Sequence, residues 1–153
     1  MRIAIDARLI YYQRGGIGQY ILHLIQELAR LDAVDDYILL HSRKDHTPLV
    51  ESPRFQNAPL WTPCHNRFEQ IALPIELSRL RFDLLHSPDF IPPWHGHFRR
   101  RFHRLITVHD LTFLYYPQFL TADFSICLIA ENMAELNPRI GRNPYCATIE
   151  LPL

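Results

Sequence analysis

Residues 1–20 constrain the fold more than any other stretch, because they combine a strand, a glycine-rich turn and the beginning of a helix. An apolar run over residues 3–5 ends at Asp6, a polar loop follows, and Gly15, Gly16 and Gly18 precede a long amphipathic pattern. Three of the chain's five glycines therefore lie in one turn. Glycine lets a backbone approach a ligand closely, and the free N–H groups of a helix start favour an anion. We predict that this turn binds a phosphorylated small molecule.

The rest of the pattern predicts an α/β fold. Residues 18–31 carry apolar side chains at three-and-four spacing, which is typical of a helix with one buried face. A second helix is expected over residues 68–80, although Pro74 should kink or restart it. Further strands are expected at residues 37–40, 82–85 and 105–108, with a weak strand near 60–61. Continuous apolar strands that alternate with helices form a parallel sheet covered by helices on both faces.

Each clear strand of this predicted sheet ends in polar side chains. Because ligands of such sheets bind beyond the carboxyl ends of the strands, these side chains and the glycine turn should line one edge, where they suit a polyol phosphate. The residues at the strand ends are Asp6, His41, Ser42, His86, Ser87, His109 and Asp110.

His109 and Asp110 are the candidate catalytic pair at this edge. An imidazole there could donate a hydrogen bond to a sugar hydroxyl or a carbonyl at neutral pH, and Asp110 could orient it. The alternative is that His109 merely caps the end of its strand.

Composition excludes several classes of protein. With 16 basic and 16 acidic residues the net charge is zero, which argues against a general nucleic-acid binder. Asp6 and Arg8 interrupt the first apolar run, so no signal peptide is predicted, and no apolar run approaches the roughly 20 residues of a membrane span. Scattered cysteines predict reduced thiols. We expect a cytoplasmic protein with at most peripheral contact at the inner face of a membrane; the three cysteines are Cys64, Cys127 and Cys146.

Neither a metal centre nor a lipid-binding arginine cluster is favoured by the pattern. His95, His97 and His103 have no acid or cysteine at ligand spacing, so no metal site is predicted. The arginines at 99–101 and Arg104 could touch anionic lipid or a phosphate, but a solvated loop face is the favoured interpretation.

A nicotinamide cofactor is disfavoured by the glycine turn itself. Gly16 and Gly18 have the spacing that begins a dinucleotide fingerprint, but Ile21 occupies the position of the third glycine. The second strand ends in histidine and serine instead of the acid that would hold a ribose. A fragment of an NAD(P)-dependent reductase therefore stays a minor alternative.

Five short motifs in order resemble the N-terminal domain of group 1 family glycosyltransferases, which are retaining enzymes of GT-B fold that often act as mannosyltransferases in polysaccharide synthesis. The similarity covers about residues 1–123. The motifs are Ile5-Asp6-Ala7-Arg8, Gly15-Gly16-Ile17-Gly18-Gln19-Tyr20, His86-Ser87-Pro88, Thr107-Val108-His109-Asp110-Leu111-Thr112-Phe113 and Tyr116-Pro117-Gln118-Phe119-Leu120-Thr121.

The resemblance implies a Rossmann-like domain that mainly binds the saccharide acceptor, while a second domain mainly holds the nucleotide-sugar donor. No other cofactor is implied. Carried over, Gly15, Gly16 and Gly18 would lie beside the donor diphosphate and the acceptor. His109 would lie at the reaction centre near the transferred sugar, with Asp110 as its orienting neighbour.

Residues 124–153 depart from the family pattern, with Pro138, Pro144 and Pro152 and little continuous periodicity. We therefore expect a glycosyltransferase N-terminal domain over 1–123 and a divergent tail over 124–153, produced by truncation or a shifted reading frame. Without a second domain, the groups that stabilise the leaving diphosphate are missing, so the chain alone should be inactive and its sheet should end in an unpaired edge. A non-catalytic binding subunit completed by a separate donor-binding chain is the other alternative.

Overall fold

The computed structural model describes residues 1–12, 15–31, 33–66, 68–89, 102–109 and 147–151, the last of these as backbone only. Within these ranges helices lie between the first and second strands and between the third and fourth strands. The elements are β1 (Arg2–Asp6), α1 (Leu9–Tyr12), α2 (Gly16–Leu31), β2 (Asp36–Ser42), β3 (Phe55–Leu60), α3 (Glu69–Leu77), β4 (Leu84–Ser87), β5 (His103–Val108) and β6 (Ala147–Leu151).

The strands form one sheet in the order β3-β2-β1-β4-β5-β6. Strands β1 to β5 are mutually parallel, and only β6 runs antiparallel, against β5. Ile5 in β1 lies between Leu39 of β2 and His86 of β4. The predicted Rossmann-like parallel sheet is confirmed, with β1 near its centre.

The two faces of the sheet carry separate apolar cores, because successive side chains of a strand point to opposite faces. On one face Ile5 and Leu39 pack in a cluster with Ile21 and Ile25 of α2. Each of these isoleucines is completely buried, which stabilises the fold by about 1.5–3 kcal/mol per side chain. On the opposite face the cluster contains Ala4, Ile38, Leu40, Leu85, and Leu73 and Leu77 of α3. Helices therefore cover both faces, as predicted.

Several element bounds differ from the sequence prediction for identifiable reasons. Strand β3 begins at Phe55, earlier than expected. Its hydrophobic pattern was not recognised in the sequence, because Gln56 and Asn57 are exposed residues of a strand at the edge of the sheet. Helix α3 continues through Pro74 as one α-helix, where a kink or a restart was expected. Burial of Leu73 and Leu77 against the sheet offsets the backbone hydrogen bond that proline cannot donate.

The backbone of β6 lies in the segment expected to be a divergent tail. Its pairing with β5 runs from Arg104 opposite Leu151 to Val108 opposite Ala147. The outer strands of the described sheet are consequently β3 and β6. Among the described helices, none has the length and hydrophobicity that crossing a bilayer requires.

Candidate functional site

The carboxyl ends of the parallel strands bring four of the polar strand-end residues to one edge of the sheet. Asp6 ends β1, Ser42 ends β2, Ser87 ends β4 and His109 follows β5 directly. Strand β1 has β2 on one side and β4 on the other, so successive crossovers diverge at this point. Such a switch point is where sheets of this type open a crevice for ligands.

The glycine turn enters α2 beside this edge. The Gly15 carbonyl accepts a hydrogen bond of 2.9 Å from the Gln19 N–H, and Gly16 is the first residue of the helix. Within the described chain no glycine has positive φ, and a Cβ atom added at Gly15 or Gly16 would meet no atom within 4 Å. Neither backbone conformation nor packing therefore requires glycine at these two positions. Gly18 is buried in the first turn of α2.

His109 lies next to the beginning of α2. Its Nε2–H donates a 2.7 Å hydrogen bond to the Pro88 carbonyl. The rings of Tyr20 and His109 meet edge to face, with centroids 5.0 Å apart. Because a carbonyl only accepts, Nε2 holds the proton of the neutral ring, and Nδ1 is the nitrogen that could meet a ligand. Asp110, its predicted orienting partner, lies outside the described residues.

His86 is buried behind this edge and connects three elements. Its Nε2 lies 3.1 Å from Thr107 Oγ1, and the Tyr20 hydroxyl lies 3.5 Å from the same oxygen. Burial lowers the pKa of His86 from 6.5 to about 4, so the ring is neutral at physiological pH. Ser87 is also buried. Both residues lie at the predicted edge, but beneath its surface, and their role in substrate binding stays a prediction.

Asp6 is engaged by a neighbouring arginine. Arg8 donates to its carboxylate from Nε at 2.9 Å and from Nη2 at 2.6 Å, and the Arg8 backbone N–H adds a bond of 3.2 Å. Arg8 is only 1% exposed, and its Nη1 also donates to the Thr62 carbonyl at 2.9 Å. Asp6 thus lies where it was predicted, but its carboxylate orients Arg8. Whether it also binds substrate stays a prediction.

Arg8 also joins β1 to the beginning of α3. Its Nη2 forms an ion pair with Glu69, whose other carboxylate oxygen accepts a 2.7 Å bond from the His65 N–H. Burial raises the pKa of Glu69, and the Arg8 charge opposes that shift. His65 in turn pairs with Asp89, which raises the pKa of the imidazole. These contacts form one network of charged side chains beneath the carboxyl edge.

Cys64 lies beside this charged network as a free, half-buried thiol. Burial raises its pKa to about 12, so the thiol stays protonated and is a poor nucleophile.

The comparison with known families agrees with this geometry. The family model described as Glycosyltransferase Family 4 matches residues 14–130, a span that holds the glycines of the turn, His109 and Asp110. The chain belongs to glycosyltransferase family 4. The match supports a group 1 glycosyltransferase N-terminal domain of Rossmann-like α/β fold. No curated protein and no solved structure gives a significant match.

The family 4 domain also contains site residues that sequence reasoning did not assign. Arg8 appeared as a polar interruption of an apolar run and in a quoted motif, without a role, although its i, i+2 spacing from Asp6 was a usable signal for a local ion pair. Glu69 lies 61 positions from Arg8, and no local pattern could connect the two. Tyr20 stood in a quoted motif without a role, yet it joins the glycine turn to His109.

Proposed function

We propose that this family 4 domain is the acceptor-side half of a retaining glycosyltransferase. It would transfer a hexose, mannose-like in chemistry, from a nucleotide sugar to a polysaccharide or lipid-linked acceptor. A second domain or a partner chain would supply the donor-binding groups. The observation that supports the proposal is the contact between Tyr20 and His109, because Tyr20 follows the glycine turn by two residues and its ring meets the imidazole.

The chemistry of the two groups supports transfer of a sugar from a diphosphate. The beginning of α2 presents the backbone N–H groups and the positive dipole end of a helix, which favour the negative charge that develops on a leaving diphosphate. The open space above Gly15 and Gly16 allows a ligand to approach that backbone closely. The Nδ1 atom of His109 would hydrogen-bond a hydroxyl of the transferred sugar, while Pro88 keeps the ring oriented through Nε2.

The decisive experiment supplements the full chain with the donor-binding domain of a family member and supplies a panel of nucleotide sugars and lipid-linked acceptors. Transfer of labelled sugar is expected with one pair, and His109→Gln should reduce kcat by about 100-fold or more, the scale of a lost catalytic group. His23→Gln is the matched control, since His23 is an exposed histidine of α2. Equal activity of the His109→Gln and parent proteins would refute the assignment of His109.

We also propose that the domain contacts a membrane peripherally, at the surface that would present a lipid-linked acceptor. Phe68, Ile71 and Ile75 recur on one side of α3 and are 63%, 58% and 57% exposed. The nearby Arg79 and Arg81 are exposed as well and suit an anionic lipid surface. Flotation with anionic vesicles should fall several-fold in Ile71→Ser/Ile75→Ser and stay unchanged in a variant of the exposed Val34, Val34→Ser. Equal flotation of all three proteins would contradict this proposal.

A further inference from the structure

A cavity opens where β2 and β3 end, away from His109. Its volume is about 590 Å³, and its polar lining comes from the end of β2, the following bend and the outer strand β3. The side chains that matter are His41, Arg43, Asp45, His46, Asn57 and Trp61. Three of them can carry positive charge, and only one carries negative charge.

Arg43 is the central side chain of this cavity. Its guanidinium carbon lies 3.1 Å from the centroid of the Trp61 ring, which holds the cation in place through its π face. Among the residues that the structure describes, its guanidinium has no carboxylate in ion-pairing distance. Trp61 is 69% exposed although it is large and apolar. The ring therefore fixes the direction of the guanidinium at the mouth of the cavity and leaves its N–H groups available to an anion.

Local hydrogen bonds stabilise the neighbouring bend, and its acidic side chain, Asp45, accepts one of them. The Ser42 carbonyl accepts a bond of 2.8 Å from the Asp45 N–H and a bond of 3.1 Å from His41 Nδ1–H. The Asp45 carboxylate accepts the Thr47 N–H at 3.0 Å. With Nδ1 used in this way, His41 Nε2 is the nitrogen that could meet a ligand. The cavity is therefore preorganised, and its single acid caps the bend.

Position separates this cavity from the edge site described above. Strand β2 is three strands from β5, which corresponds to roughly 14 Å at about 4.8 Å per strand. A group bound at Arg43 and a group bound at His109 would therefore occupy different places on the same edge. One extended molecule could reach both, but a monosaccharide could not.

We propose that this cavity binds the anionic group of a saccharide, either a phosphate or a carboxylate. Arg43 donates its N–H groups to the anion, while His41 Nε2, which holds the lone pair of the ring, accepts a hydrogen bond from a sugar hydroxyl. Asn57 and the Thr47 hydroxyl, which also line the cavity, hydrogen-bond the sugar hydroxyls. Binding here does not require the proposed transfer reaction, so the two proposals stand or fall separately.

Calorimetric titration of the full chain with four probes tests this site. Glucose 1-phosphate and glucuronate represent the two anion sources. Glucose lacks the anionic group, and inorganic phosphate lacks the sugar. We expect saturable binding of at least one of the two anionic sugars, tighter than that of glucose and of inorganic phosphate, and the preferred sugar identifies the anion. Binding of none of the probes in the millimolar range, or binding of both lone components as tight as that of the anionic sugars, would overturn the proposal.

Variants then assign the binding to Arg43. Arg43→Gln should weaken the preferred anionic sugar about tenfold or more, because a charge-assisted hydrogen bond is lost. Arg43→Lys should recover part of the affinity. The matched control is Arg30→Gln, which removes an exposed arginine of α2 outside the cavity and should bind like the parent protein. Since Arg43 is exposed, its variants should fold, and an unchanged circular dichroism spectrum checks this. Equal affinity of Arg43→Gln and the parent protein would overturn the assignment.

Discussion

His86 gives the fold a dependence on pH that belongs to a single side chain. Its pKa in the folded chain is about 4, against 6.5 when it is exposed to water. Between these values the unfolded chain binds a proton that the folded chain refuses, so stability falls as the pH decreases from 6.5 to 4. The loss should be on the order of 3 kcal/mol at the acid end of this window.

Urea unfolding of the parent protein and of His86→Gln, at neutral pH and at about pH 4.5, measures this loss. The variant should lose less stability than the parent on acidification, because it lacks the titrating ring. His23→Gln, which changes an exposed histidine, should keep the dependence of the parent. Parallel pH profiles for the parent and His86→Gln would show that another group is responsible.

Gly16 presents the opposite case, a residue that the fold does not need. Its φ is not positive, and a Cβ atom would meet open space, so Gly16→Ala should stabilise the chain by about 0.4–1 kcal/mol through the unfolded state. The same methyl group would occupy the space offered to a ligand and should weaken nucleotide-sugar or acceptor binding. Thermal unfolding with a binding titration measures both effects. A Gly16→Ala protein that is less stable than the parent would show that packing explains this glycine.

The sequence predicts which residues lie at the site where their position follows from the end of a strand. It does not predict contacts between side chains of distant segments. Asp6, His86, Ser87 and His109 all lie at the edge where the parallel pattern put them. That Arg8 also pairs with Glu69 could not be read from the pattern, because this contact joins β1 to the beginning of α3.

At the scale of elements, the Arg8 network fastens β1 to α3. Arg8→Met would leave the carboxylates of Asp6 and Glu69 near one another without their cation, and breaking a buried pair in this way costs about 3–5 kcal/mol. The deficit should shrink as the pH falls, because protonation neutralises Glu69, whose pKa burial already raises. Urea unfolding at several pH values measures the effect.

The exposed pair between Arg30 and Glu27 provides the matched control for this prediction. Its side chains are 69% and 54% exposed, so Arg30→Met should cost no more than about 1 kcal/mol. If Arg8→Met and Arg30→Met were equally mild, the buried network would not stabilise the junction of β1 and α3.

Helices and strands with a clear hydrophobic period were predictable from the sequence, and those without such a period were not. Helix α2 shows three-and-four spacing and begins only two residues before its predicted start. Strand β3 has exposed Gln56 and Asn57 and a proline, so its pairing with β2 determines its extent more than its own sequence does. Strand β6 lies in a segment without continuous period, and its antiparallel pairing with β5 could not be expected from its sequence.

At the scale of the whole molecule, the order of the strands predicts how stability is distributed. Strand β1 has a parallel neighbour on both sides and contributes Ala4 and Ile5 to the two opposite cores. Strand β3 is at the outer edge and has only β2 as a neighbour. A central strand can open only when most of the sheet opens, whereas an edge strand can open locally.

Native-state hydrogen exchange tests this distribution. The amides of Ala4 and Ile5 should exchange with a free energy close to that of global unfolding, while hydrogen-bonded amides in Phe55–Leu60 should exchange at a lower free energy. The expected gradient has a consequence for function, because His109 follows β5 inside the sheet while the Arg43 cavity borders β3. A ligand bound at Arg43 should therefore slow exchange in β3, by up to the same free energy that mass action adds to global unfolding, because local opening of β3 breaks the cavity. Equal protection of β1 and β3 without ligand would contradict the gradient and would indicate that the sheet opens as a single unit.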